Sequence, residues 1–172
     1  MLKTLYGKLA AVLFALLALI GLFNILLTLV TSQLYLQEVN QRLHRTLAEH
    51  LVSEQPLIKE GEVNEGALQE MFHMLMVINP SIEIYLLDPF GTILAFSAPP
   101  GKVKRHRVSL QPIRRFLRHP DRLPILGDDP RSLRRQKIFS VAPVKREGRL
   151  EGYLYVVLGG EEYDSIARRL QG

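Results

Sequence analysis

The chain has no cysteine among its 172 residues. A disulfide framework, a thiolate-bound zinc site and a thiol nucleophile are therefore excluded. It has no internal repeat, no low-complexity linker, no Gly-rich nucleotide loop and no Gly-x-Ser-x-Gly elbow. Its five histidines, His44, His50, His73, His106 and His119, never pair at i, i+3 or i, i+4, so they lack the helical spacing of a metal site. Asp128 and Asp129 are adjacent, and adjacent side chains point apart, which suits turn chemistry better than a carboxylate dyad. No catalytic residue, metal or cofactor is expected. Whole-chain disorder is excluded as well, because 47% of the residues are apolar.

The chain also lacks any charge between Lys8 and Glu38. Inside that gap, Leu9 to Val30 is almost wholly apolar. A helix of this length is about 33 Å long, enough for a bilayer core of ~30 Å. A cleaved signal peptide would have a shorter apolar run ending in small residues at a cleavage site. Here the run continues into TSQLYLQEVNQRL, so an uncleaved signal anchor is expected. Lys3 and Lys8 precede it, and Glu38 is the first charge after it. The positive-inside bias places the N-terminus in the cytoplasm and the remainder across the membrane, in a bacterium the periplasm. The expected location is the bacterial inner membrane, with a single pass.

Beyond the span, Leu36, Val39, Leu43, Leu47 and Leu51 recur at helical spacing. The membrane helix is expected to run on unbroken, ending near Pro56 and Gly61. Its stripe suits packing on its own domain, or a short contact between two copies, better than a long coiled coil. Asn64 can cap a second helix with Leu68, Met71, Phe72, Leu75 and Met76 on one face, the methionines serving as core filler. In SIEIYLLDPFGTILAFS, two strands flank a turn at Asp88-Pro89-Phe90-Gly91. Ser109 can cap a short helix whose Ile113, Phe116 and Leu117 face inward and whose Arg114, Arg115 and Arg118 face out. LGDDPRSLR reads as a loop. A second hairpin spans about 136–144 and 150–158, and Glu161 to Leu170 reads as a last helix. Antiparallel strands with segregated helices make an α+β fold.

Two stretches carry a family resemblance. IYLLDPFGTILAFS is similar to the strand–turn–strand element of PAS-like domains, with Asp88 and Gly91 at the matching positions. FSVAPVKREGRLEGYLYVVLGGEEYDSIA resembles the end of a periplasmic sensor before its second membrane helix. Together they resemble the extracytoplasmic sensor region of a bacterial two-component sensor histidine kinase, of the PDC or Cache-like kind. The resemblance implies an N-terminal transmembrane helix continuing into a PAS-like domain with an antiparallel sheet and flanking helices. The implied organisation is 1–8 cytoplasmic, 9–30 transmembrane, 31–60 membrane-proximal helix, 61–160 sensor domain and 161–172 a helix leading to a second span. Such a kinase goes on into a linker, a phosphorylated histidine and an ATP-binding domain. The expectation is therefore the sensor part of a signalling protein, with no enzymatic activity of its own. The alternative is a membrane-anchored interaction or assembly module with no small ligand.

One chemical asymmetry stands out: residues 102–122 hold eight basic residues and one acidic, within a chain of net charge +5. Three readings apply, namely a solvated face, an anionic-ligand site, and contact with anionic lipid head groups. In PAS-like sensors the ligand lies between the sheet and its covering segments. The resemblance thus makes Arg105, His106 and Arg107 candidates for binding a carboxylate or phosphate through charge-assisted bonds, with Tyr85, Tyr153 and Tyr155 lining the pocket. Leu36, Val39, Leu43 and Leu47 are the candidate dimer or signalling contact. Expected partners are the membrane, a second copy in a homodimer and a small anionic ligand. Nucleic acid does not fit the periplasmic location.

Overall fold

The structure, a computed structural model, describes residues 5–54, 56–59, 62–78, 82–97, 101–119 and 121–159. The chain divides into two units, residues 1–37 and 38–172. In the first, residues 5–37 are helical and belong to α1 (Leu5–Leu43). Its apolar side chains lie uncovered all round the helix: Leu9 is 69% exposed, Phe14 75% and Phe23 63%. An amphipathic helix would bury one stripe, whereas this one is apolar on every side. It is long and apolar enough to cross a membrane. Polar side chains within its apolar stretch donate to the helix's own backbone, as a helix in hydrocarbon would require. The Asn24 amide donates to the Ile20 carbonyl at 2.9 Å, and the Thr28 and Thr31 hydroxyls donate to Asn24 and Leu27 carbonyls at 2.8 Å.

The second unit is α+β. After α1 come α2 (Leu47–Glu54), a minute hairpin of β1 (Ile58–Lys59) and β2 (Glu62–Val63), and α3 (Glu65–Ile78). Then follow β3 (Glu83–Leu87), β4 (Ile93–Phe96), α4 (Leu110–Arg118), β5 (Leu126–Asp128), β6 (Gln136–Arg146) and β7 (Arg149–Val157). The last five strands form one curled antiparallel sheet in the order β4-β3-β7-β6-β5. The first and last strands are therefore neighbours at the centre. The chain between β4 and β5 crosses from one edge of the sheet to the other.

That crossover explains why β3 is buried along its whole length. One face, with Ile84, Leu86, Leu154 and Val156, packs against Leu51 of α2 and Leu68, Met71, Phe72 and Leu75 of α3. The other, with Tyr85, Leu87, Phe139, Tyr155 and Val157, packs beneath Val108, Ile113 and Phe116 of the crossover. Gly152 has no room for a side chain, because a Cβ there would collide with the Leu87 carbonyl.

Local signals account for the element ends. Asn64 caps α3, its Oδ1 accepting from the Ala67 amide at 3.4 Å. Asp88 Oδ1 accepts from the amides of Phe90 and Thr92, both at 2.8 Å, closing the first hairpin, while Gly91 supplies φ +86°. Ser109 caps α4, whose Ile113 and Phe116 are buried as expected. Leu117 differs: it is 41% exposed, because it faces an open cleft between α2, α4 and β6. The second hairpin runs further than expected, closing on Glu147 and Gly148 at φ 49° and 80°. Two left-handed residues make the tight turn that matches strand twist.

Three more expectations differ. The helix from the span is not continuous to residue 54; a turn at residues 44–46 separates α1 from α2. Ser140 of β6 is the cause: its hydroxyl donates to the Arg45 carbonyl at 2.8 Å and accepts from the Ala48 amide at 3.2 Å. A side chain inserted into the helix ladder breaks it. Second, the loop reading of LGDDPRSLR misses β5, which pairs with residues 136–138 of β6. Third, the side facing the domain is not the leucine stripe throughout: Leu43 is 74% exposed, whereas Gln41 and Ala48 are fully buried. The expected last helix lies outside the described residues.

Candidate functional site

The buried acidic side chains of the second unit, Glu83 and Asp129, lie at one end of the sheet. Glu83 opens β3 opposite Val157, and strand alternation places its side chain on the same face as Tyr85. It is 3% exposed. The Tyr85 hydroxyl donates to Glu83 Oε2 at 2.7 Å, and the Arg131 guanidinium lies 3.0 Å from the same oxygen. The other oxygen, Oε1, has no hydrogen-bond partner among the described residues. Asp129 follows β5 and is fully buried. Arg135 donates to its Oδ2 from Nε at 3.0 Å and pairs with it from a terminal nitrogen at 2.9 Å. Lys137 Nζ lies 3.8 Å away and donates to the Gly159 carbonyl at 2.8 Å. The Arg131 amide donates to Asp129 Oδ1 at 2.9 Å, which folds residues 129–135 back on themselves.

Two buried carboxylates thus face three bases. Burial pushes Glu83 above the ordinary carboxylate range, against the downward pull of the Tyr85 hydrogen bond and the Arg131 charge. Burial first, and then the Glu83 charge, pushes the Tyr85 phenol up. Tyr155 is raised by burial and then by Asp128. Such a cluster holds the 129–135 loop against the end of the sheet. Among the described residues no group of three or more His, Asp or Glu side chains could hold a metal ion.

The six residues named from sequence fall into different surroundings. Arg105 is spread over the 128–133 loop. It donates from Nε to the Ser132 carbonyl at 2.7 Å and from a terminal nitrogen to the Leu133 carbonyl at 2.6 Å, and sits 3.4 Å from Asp128 Oδ2. Tyr155 reaches the same place, its hydroxyl donating to the Asp128 carbonyl at 3.0 Å. So the structure brings Arg105 and Tyr155 together. The side chains of His106 and Arg107 are exposed; their backbones bridge to β4 and Thr92. Tyr85 joins Glu83, and Tyr153 is buried among the residues under the crossover. The space beneath the crossover is filled by rings, with Phe139 stacked on Tyr155 at 4.8 Å and 5.3 Å from Phe116. A separate cleft of about 300 Å³ lies between α2, α4 and β6, lined by Arg45, Glu49, Phe116, Leu117 and Pro143 among others.

Glu83, Asp129, Arg131, Arg135 and Lys137 are not legible as a site in the sequence. Glu83 carries one signal, an acid at an alternate position with Tyr85 and Leu87 in a buried strand. Gln41 carries none. It is fully buried, its amide donating to the Ile125 and Phe139 carbonyls at 2.9 and 2.8 Å and accepting from the Ile125 amide at 2.8 Å. Of the signalling stripe, Leu36 and Leu43 are exposed while Val39 and Leu47 are half-buried. Compared with known proteins, the chain matches no family model and no curated protein.

Proposed function

We propose that the chain is the membrane-anchored sensor portion of a two-component sensor histidine kinase, its α+β unit in the periplasm of a bacterium. The observation that carries this reading is the coupling of one apolar, span-length helix to a curled antiparallel sheet roofed by a crossover segment. The Asp88–Gly91 hairpin turn supports the PAS-like resemblance. In this reading the domain biases the packing of membrane helices, and the catalytic steps belong to a kinase core further along the same protein. The region of Arg105, Tyr155 and the 128–135 loop is where an anionic signal would act. The ring-filled space beneath the crossover favours a second reading, an anchored interaction module with no small ligand. The test is the reading frame beyond codon 172. A second membrane helix followed by a phospho-acceptor histidine and an ATP-binding domain is the expected result. A frame that continues into neither would overturn the sensor-kinase reading in favour of the module.

A further inference from the structure

Helix α4 presents an unneutralised basic surface. Arg114, Arg115 and Arg118 project from the side opposite the buried Ile113 and Phe116. The Arg122 amide donates to the His119 carbonyl at 3.1 Å, a turn that folds Arg122 back beside the end of the helix. Together with Gln111 and His119, the four arginines line one shallow concave surface. Among the described residues no carboxylate pairs with any of the four. Of the nearby acids, Asp128 takes Arg105 and the Ser109 amide, and the exposed Asp121 lies 3.8 Å from Arg45, leaving the patch with four arginines against a single solvent-exposed carboxylate beside it. Two of the arginines sit in the last turn, where the helix dipole favours them, but that effect accounts for neither Arg114 nor Arg122.

We propose that this α4 surface docks on the anionic phospholipid head groups of the membrane that α1 enters, a proposal that rests on reading α1 as a membrane span. Guanidinium forks match phosphate oxygens, and several arginines in one concave patch can engage several head groups at once. A domain tethered to a bilayer meets those head groups at high effective concentration, so individually weak contacts suffice. A free basic amphipathic helix would insert its apolar face into lipid. Here that face is already used against the sheet, with Ile113 fully buried and Phe116 4% exposed. The docking is therefore electrostatic, shallow and sensitive to salt. It would hold the crossover segment, and with it the loop around Asp128, against the membrane surface.

The experiment uses the full chain, whose lack of cysteine allows a single Gln111→Cys label. The labelled protein is placed in nanodiscs of phosphatidylcholine alone or with about 30% phosphatidylglycerol, and a neutral soluble quencher probes the label. At low salt, quenching should be slower by about twofold or more in the anionic discs, and roughly 1 M salt, where the Debye length is ~3 Å, should abolish the difference. Arg114→Gln, Arg115→Gln and Arg118→Gln combined should abolish it too, while the protein still co-elutes with the discs. Equal quenching in both discs at low salt would overturn the proposal and leave a solvated helix face. Protection by millimolar inorganic phosphate in the neutral discs would overturn it in favour of a soluble anion. Failure to co-elute with either disc would remove the span reading and the tether with it.

Discussion

A carboxylate taken out of water costs several kcal/mol unless charge and hydrogen bonds compensate. Glu83 is compensated on one oxygen only, by Tyr85 and Arg131, with Lys137 and Asp129 the other charges acting on it. Its folded-state pKa lies above the ordinary 4.5, so the folded protein holds this proton more tightly than the unfolded chain. That contribution is complete below the unfolded value and is lost as pH rises through the folded one. Relative to Glu83→Gln, which does not titrate, the unmodified protein should lose stability as pH is raised from about 4.5 towards neutrality. Urea unfolding of the full chain in detergent, followed across that range, reads the stability of the unmodified protein minus that of Glu83→Gln, which should fall as pH rises; a value that stays flat or rises would contradict it. Gln41 offers a second test. Its truncation leaves one buried amide and two buried carbonyls without partners. Gln41→Ala should cost about 2–4 kcal/mol, since each unsatisfied buried group costs ~1–3 kcal/mol, less where water can enter.

Elements in this chain end where side chains from elsewhere intercept them. Ser140 ends α1 by taking both the Arg45 carbonyl and the Ala48 amide, so the break is made by a strand some 90 residues downstream. The leucine stripe consequently changes character along its length. Leu51 is core, Val39 and Leu47 are half-buried, and Leu36 and Leu43 are left open. If the membrane-proximal helices pair in a dimer, the pairing uses the open part. A cysteine scan from Leu34 to Leu47 in membranes should then give crosslinks between chains with helical period, strongest at the open positions Leu36→Cys and Leu43→Cys and weaker at the half-buried Val39→Cys. A shift of ~1–2 Å between two packed arrangements is enough to carry a signal along such a helix. Crosslinks absent throughout the scan would leave the anchor monomeric and favour the interaction module.

For the whole molecule, the informative contrast is between its two units. One exposes leucine and phenylalanine on every side; the other buries its apolar residues on both faces of a sheet. In water the first surface would be an aggregation hazard far larger than the apolar patches soluble proteins tolerate. In a bilayer it needs no cover. With Lys3 and Lys8 before the span, the second unit should lie outside the cytoplasm. A reporter active only in the cytoplasm, fused after Gly172, should be silent in cells. Activity there would reverse the orientation and remove the periplasmic sensor reading.

The long apolar N-terminal helix, the α+β class, the two hairpins and the caps of α3 and α4 were readable in order along the chain. Each depends on neighbours within a few residues: an apolar run of sufficient length, alternation about a turn, a capping side chain beside a helix start. What folding decided were the contacts between distant segments. The break at residues 44–46 needs Ser140, the burial of Gln41 needs Ile125 and Phe139, and β5 exists because β6 supplies its ladder. The charge cluster is the clearest case. Glu83, Asp129 and Lys137 are spread over more than fifty residues, and none has a local reason to meet the others. Only the placing of the first strand beside the last brings them to the same end of one sheet, where burial converts ordinary surface residue types into coupled interior charges.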